Sequence, residues 1–318
     1  MLDAQLGNRI EVFLTRVAAY PSLQWLASAQ LREWPEHVKA LERAILNVDP
    51  AFSGRINELA ALVRRLAGDE IDRYCADYHW MCDRFLEERL HFERTGEYRL
   101  QTFDQAYAEV YGQSAYMGRY VNGILLSQVF WRNHAAAIDL FRTDFLPSNR
   151  SGFHHLDVGP GHGLFLAYAV RHPKCGSCTG WDVSASSIAA TKQALDRMEI
   201  GQNVSLVLQD VLQAEAEIDR FDSAIISEVL EHLERPDSAL AALRLALTPG
   251  GRIFINVPVN SPAPDHIYLW RHPDEITALV ERAGFHIDVM HRIPIAGKTV
   301  EQAIKGNLDI SCVVIAHK

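Results

Sequence analysis

The sequence predicts an α/β protein, a seven-stranded, mostly parallel, doubly wound sheet preceded by an all-helical N-terminal domain. Up to about residue 147, apolar residues recur three and four apart, the helical period, with hardly a β-rich run. Beyond residue 152, short apolar runs alternate with helical stretches, the pattern of buried strands wrapped by helices on both faces. The length of 318 residues suits two parts with their own cores, dividing at 1–150 and 151–318.

The elements follow in order. Residues 40–68 place apolar side chains at helical spacing, punctuated by Asp49-Pro50 and Gly68. The spacing predicts a long amphipathic helix from Asp69 to His91, with Ile71, Tyr74, Tyr78, Met81, Phe85 and Leu86 on one side. Another is predicted from Ser114 to Phe145, and residues 146–152 (LPSNRSG) read as a linker. The strands are FHHLDV, CTGWDV, VSLVLQD, FDSAIIS, GRIFINV, FHIDVM and ISCVVIAH. No helix is read between the last two, so they are expected to pair antiparallel at one edge.

Composition narrows the function classes. Hydrophobic residues at 48% and charged residues at 22% exclude disordered and fibrous builds. The net charge of -9, with neither half basic, lacks the broad positive field that draws in polyanions, which weighs against a nucleic-acid partner. No run approaches the roughly 20 apolar residues of a membrane span, and MLDAQLGNRIEVF lacks a signal peptide's layout. The five cysteines are sparse and odd in number, which fits a reducing cytosol and a cytoplasmic location.

The most informative segment is Leu156-Asp157-Val158-Gly159-Pro160-Gly161-His162-Gly163, where the first strand meets the first helix. Glycines there let backbone N–H groups approach a ligand closely. The spacing is G-x-G-x-G, and Leu164 stands where a dinucleotide fingerprint puts its third glycine, which argues against a nicotinamide oxidoreductase. Asp182 closes the second strand, where a carboxylate can accept both hydroxyls of a ribose. Asp210-Val211 follows the third, where an acid can hold an amino group beside an apolar ring contact. Each acid alone is an ordinary strand-end residue or cap; three at successive strand ends point to a nucleoside ligand.

On LDVGPGHG, GWDV, QDV, SEVLEHL and LTPGGRIFINVP, residues 153–318 resemble the class I S-adenosylmethionine (SAM)-dependent methyltransferases, with their Rossmann-like fold and antiparallel last strand. The resemblance implies that Asp157, Gly159, Gly161 and Gly163 surround the methionine part of SAM, that Asp182 holds the ribose, and that Asp210 and Val211 frame the adenine. SAM's sulfonium methyl is already electrophilic, so the protein must mainly align a nucleophile and manage one proton.

Ser227-Glu228-Val229-Leu230-Glu231-His232-Leu233 spaces two carboxylates and an imidazole at i, i+3, i+4, one face of a helical turn. Such a set can ligate a divalent cation or stand as a solvated capping pair. With Pro264-Asp265-His266-Ile267-Tyr268-Leu269-Trp270 downstream, it resembles the metal-dependent small-RNA 2′-O-methyltransferases, and its E-x-x-E-H part the ubiquinone-pathway O-methyltransferases. The resemblance implies Glu228, Glu231, His232 and His266 as ligands to Mg, Mn, Fe or Zn. His232 or His266 is alternatively a metal-free general base.

The helix entering the second half carries Tyr116, Tyr120, Asn122, Gln128, Trp131 and His134 among apolar residues. Tyr116, Tyr120, Gln128 and Trp131 are candidate substrate contacts, weighed against plain helix-on-sheet packing. Similar methyltransferases of small-molecule metabolism carry helical covers that also form homodimers, so the expected partner is a small-molecule substrate under such a cap. An RNA acceptor and a non-catalytic interaction module are the alternatives. Cys175-Gly176-Ser177-Cys178 lacks the second pair of a zinc site and reads as chance; His154-His155 reads as core, and His162 as a contact to SAM or substrate.

Overall fold

The computed structural model describes residues 2–46, 48–213 and 218–318. The helical half comprises α1 (Leu2–Arg16), α2 (Pro21–Glu33), α3 (Val38–Ile45), α4 (Pro50–Ala67), α5 (Ile71–Thr95), α6 (Phe103–Ala106), α7 (Ser114–Phe130), α8 (Arg132–Leu140) and α9 (Leu146–Ser148). Their limits follow local chemistry. Asp49 caps α4, its carboxylate accepting the Phe52 N–H at 2.9 Å, with Pro50 in the first turn. Gly96, left-handed at φ 73°, ends α5.

Three readings of this half change. Leu86 is 56% exposed, on the flank of α5 rather than its buried stripe. The helix predicted over 114–145 breaks at Trp131, whose extended backbone separates α7 from α8, and it closes in a π-helical turn over Phe141–Phe145. The 146–152 segment begins as helix and is tied down. Lys174 Nζ donates to the carbonyls of Pro147 (2.6 Å) and Asn149 (3.0 Å), and Arg150 pairs with Asp222 at 2.6 Å.

The second half runs β1 (Phe153–Val158), α10 (Leu164–Arg171), β2 (Cys175–Asp182), α11 (Ala185–Arg197), β3 (Val204–Leu208), β4 (Phe221–Ser227), α12 (Pro236–Ala246), β5 (Leu247–Val259), α13 (Pro273–Arg282), β6 (His286–Pro294), α14 (Val300–Lys305) and β7 (Ile310–His317). The sheet order is β3-β2-β1-β4-β5-β7-β6. β1 to β5 are parallel, and β7 runs antiparallel to both β5 and β6. The expected hairpin is there, although α14, opened by a Thr299–Gln302 capping box, intervenes.

Strand alternation feeds two cores. Ile225, Phe254, Val313 and Ile315 face a cluster continuous with helices α1 to α5, α7, α8 and α10. Their neighbours Ala224, Ile226, Ile253, Ile255 and Val314 face α12, α13 and α14. The helical half thus packs directly on one sheet face, through Phe141 and Phe145 against Phe254 at 5.4 and 5.6 Å between ring centroids. His155 is fully buried there, bonded to Ser223 Oγ at 2.9 Å, a core residue as read, whereas His154, on the opposite side of the strand, is exposed and not core. No helix among the described residues is long and apolar enough to cross a membrane.

Candidate active site

The carboxyl ends of β1 to β4 define a cleft. Gly159, Gly161 and Gly163 take φ of 70°, 49° and 71°, the region where side chains are strained. At Gly159 a Cβ would also stand 2.8 Å from Val229 Cγ2. The turn is stitched by Gly163 N–H to Pro160 O (2.7 Å) and by Thr191 Oγ1 donating to Gly161 O (2.7 Å). The loop therefore offers backbone where other residues would put side chains.

Asp157 lies beneath it, 3% exposed, and among the described residues its Oδ2 has no hydrogen-bond partner. Burial, with the nearby Asp182 charge, pushes its carboxyl up to about 8. Burial also raises Asp182, which uses one oxygen on the Ser184 N–H at 2.8 Å. Asp210 caps its own turn, accepting from Leu212 N and Gln213 Nε2 at 2.9 and 3.1 Å, and Val211 is buried beside it. In the loop, His162 has its Nδ1 unpartnered, and burial lowers the ring to about 4.

Next to this cleft Glu231, His232 and His266 converge, one ligand atom of each lying within 4.8 Å of the others. Glu231 is fully buried; among the described residues no N–H or hydroxyl donor reaches its carboxylate oxygens, and its carboxyl lies within hydrogen-bonding reach of that of Glu228. Burial, then the neighbouring Glu228, pushes it well above the usual carboxylate range. His266 Nδ1 lies 2.7 Å from the Ser261 carbonyl and His232 Nδ1 3.1 Å from the Asp265 carbonyl. A carbonyl only accepts, so each Nδ1 carries a proton, which leaves Nε2 as the ring atom able to ligate. Those Nε2 atoms stand 3.9 and 3.8 Å from Glu231 Oε1. Burial lowers His266 to about 4, so its ring is neutral at pH 7.

Glu228 sits beside this trio and outside it. Its backbone is left-handed at φ 53°, and its Oε1 accepts from Asn256 Nδ2 at 2.9 Å. Withdrawal from water pushes its carboxyl up to about 7. The structure thus brings together three of the four residues assigned as ligands and turns Glu228 toward Asn256.

The helical half supplies the remaining wall. Tyr120 is buried and its hydroxyl donates to Asp265 Oδ1 at 2.8 Å. Tyr116 leans on Tyr120 and on Trp80, at 6.0 and 4.8 Å between centroids. Gln128 Nε2 reaches His134 Nδ1 at 3.3 Å, whereas the Trp131 indole donates to Tyr78 at 2.9 Å, away from the cleft. Tyr111 was not a candidate from sequence. Its hydroxyl donates to Asp265 Oδ2 at 3.1 Å and lies 3.0 Å from His232 Nδ1, whose proton it accepts. No local motif signals it; it follows α6 in a π-helical turn, Tyr107–Tyr111.

Residues 156–253 match the family described as a methyltransferase domain. The chain carries a methyltransferase domain. Two curated relatives are ubiquinone biosynthesis O-methyltransferases. That of Coxiella burnetii (strain Dugway 5J108-111) is 26% identical over 155 residues, 43% of this chain and 64% of the relative. That of Dechloromonas aromatica is 34% identical over 109 residues, 34% of this chain and 45% of the relative. The chain spans less than two thirds of these relatives' length. Among solved structures, Burkholderia thailandensis 1,6-didemethyltoxoflavin-N1-methyltransferase is 22% identical at a TM-score of 0.45, over 57% of this chain and 76% of that one. A putative methyltransferase of Bacillus halodurans is 15% identical at 0.47, over 57% and 97%.

Proposed function

We propose that the chain transfers the methyl group of SAM to an oxygen or activated carbon of a small-molecule metabolite, beneath a cap formed by residues 1–150, with a divalent cation assisting. The carrying observation is Asp157 Oδ2, a buried acid with no partner under a glycine turn that presents only backbone. It suits the cationic methionine end of SAM, with Asp182 left for the ribose and Asp210 and Val211 for the adenine. The relatives' O-methylation favours an oxygen acceptor, and the net charge of -9 favours a metabolite over RNA.

The trio fits a cation on its own chemistry. Both histidines turn Nε2 toward Glu231, with Nδ1 held by a carbonyl behind, the usual second-layer arrangement of metal-binding imidazoles, and Glu231 is a buried carboxyl with no N–H or hydroxyl donor among the described residues. Ligands about 2.1 Å from one ion lie about 3 to 3.5 Å apart, so separations of 3.8 and 3.9 Å need only a small closure. A cation held by Glu231, His232 and His266, with Glu228 adjoining, would lower the pKa of an acceptor hydroxyl or enolisable carbonyl. The chain's own work is to bind and orient: the glycine turn fixes the donor, Tyr116 and Tyr120 wall the acceptor, and in a site without a cation a histidine Nε2 takes the proton.

Isothermal titration of SAM should show binding that Asp182→Ala weakens at least tenfold; no binding by either protein would sink the reading. Methyl incorporation from labelled SAM should then fall at least about a hundredfold on chelation and in Glu231→Ala. If it survives both, the cation is rejected and His266, neutral and open at Nε2, becomes the base.

A further inference from the structure

Cys175 and Cys178 open β2 with their sulfur atoms 3.5 Å apart. Three positions apart on a regular strand, two side chains point to opposite faces. This strand is irregular. Cys175 lies opposite Phe153, Ser177 opposite His154, and Cys178 opposite His155, so Gly176 is an extra residue in the ladder. The cysteines therefore mirror β1 positions two apart and share the face on which Phe153 and His155 are buried. A Cβ at 176 would lie 2.9 Å from the Gly152 carbonyl oxygen, so the bulge needs its glycine. Backbone bonds from Cys175 N to His172 O (2.9 Å) and from Cys178 N to Asn203 O (2.8 Å) pin both ends.

The two thiols are unequal. Cys178 is 2% exposed while Cys175 is half-buried and within reach of solvent. The Cys178 thiol, hydrogen-bonded to Cys175, holds the Cys175 sulfur below the ordinary thiol range; the same contact and burial push Cys178 up. A more acidic, more accessible sulfur beside a protonated, sheltered one is the arrangement of an attacking and a resolving thiol.

We propose that Cys175 and Cys178 form an oxidisable dithiol site that reacts with low-molecular-weight disulfides of the glutathione type. The Cys175 thiolate attacks one sulfur of the small disulfide, whose S–S bond breaks and releases a thiolate. That thiolate takes up the Cys178 proton. The Cys178 sulfur then attacks the Cys175 sulfur of the mixed disulfide and expels the second small thiol. The Cys175 proton, given up to solvent at the start, protonates the second small thiolate, so the dithiol loses two electrons and two protons and one disulfide becomes two thiols. Reaching a bond length from 3.5 Å takes about 1.5 Å of sulfur movement, within side-chain rotation. The site lies at the amino end of β2, opposite the Asp182 end, so it stands independently of methyl transfer.

Incubating the full chain with excess oxidised glutathione, acid-quenching, and alkylating in denaturant gives a direct reading. Trypsin leaves both cysteines on one peptide, residues 175–192. Most of that peptide should be unalkylated and lighter by two hydrogens, while Cys75, Cys82 and Cys312 are alkylated. Cys178→Ser should accumulate a glutathione adduct on Cys175 that the unmodified chain resolves. Full alkylation of the 175–192 peptide in the unmodified chain, or an adduct there that never resolves, overturns the proposal without reference to any variant's folding.

Discussion

Asp157 is a carboxyl whose stable form depends on what lies above it. Sealed from water with one oxygen unpartnered and pushed up to about 8, it is mostly protonated at pH 7 in the free protein. A cationic ligand end favours the carboxylate, so ligand binding must expel that proton. SAM titrated at pH 7 in buffers of different ionisation enthalpy should release close to one proton, and Asp157→Asn should abolish the release while weakening binding. The same substitution should leave the melting temperature of the free protein unchanged or higher, because it removes a buried acid without changing shape. Proton release that persists in Asp157→Asn would place the charge elsewhere. The identity of this acid was plain from its place in the glycine motif; its isolation from any donor was not, since that depends on side chains far along the chain.

Between α5 and α7 the chain crosses onto the rim of the methyltransferase domain and is fastened at several points. Tyr98 accepts the Ser261 N–H at 3.0 Å, the Phe103 N–H donates to Glu234 at 3.1 Å, and Glu97 pairs with Arg271 at 2.8 Å. Tyr111 completes this strap by bracing His232 and Asp265 together. Tyr111→Phe should cost about 1 kcal/mol of stability yet weaken divalent-cation binding about tenfold or more, read as the cation-dependent rise in melting temperature. Tyr107→Phe, on a residue 56% exposed, is the matched control and should change neither. Equal cation responses in all three proteins would remove Tyr111 from the site. The E-x-x-E-H spacing made His232 legible as a candidate, but its brace comes from 121 residues away through a π-helical turn, a period that no 3.6-residue pattern reveals. The break at Trp131 was hidden for a related reason: neither glycine nor proline marks it.

For the whole molecule, buried titrating groups set the pH dependence of stability. Burial depresses His37, His162 and His266 to about 4, and His134 and His155 to about 3. Stability from these rings is complete above the unfolded value near 6.5 and is lost as pH falls toward 4. Asp157 and Glu228, raised to about 8 and 7, and Glu231, raised further, act oppositely: their stability is complete below about 4 and is lost as pH rises through neutrality. Metal-free, SAM-free protein should therefore melt highest between about pH 6 and 7, and lower at both pH 5 and pH 8.5. A melting temperature that climbs steadily to pH 8.5 would mean the acids are not buried as described. The overall architecture was readable because strand alternation and helix period repeat over many residues, as Phe254 and Ile255 show by facing opposite cores. The position of β7 has a further consequence for biosynthesis. It is the latest strand in chain order yet lies between β5 and β6, and among the described residues β6 pairs with no other strand. Until β7 emerges from the ribosome, β5 presents a long unpaired hydrophobic edge and β6 has nowhere to dock. The sheet thus stays open until residues 310–317 are available to close it, the stage at which a chaperone would matter most.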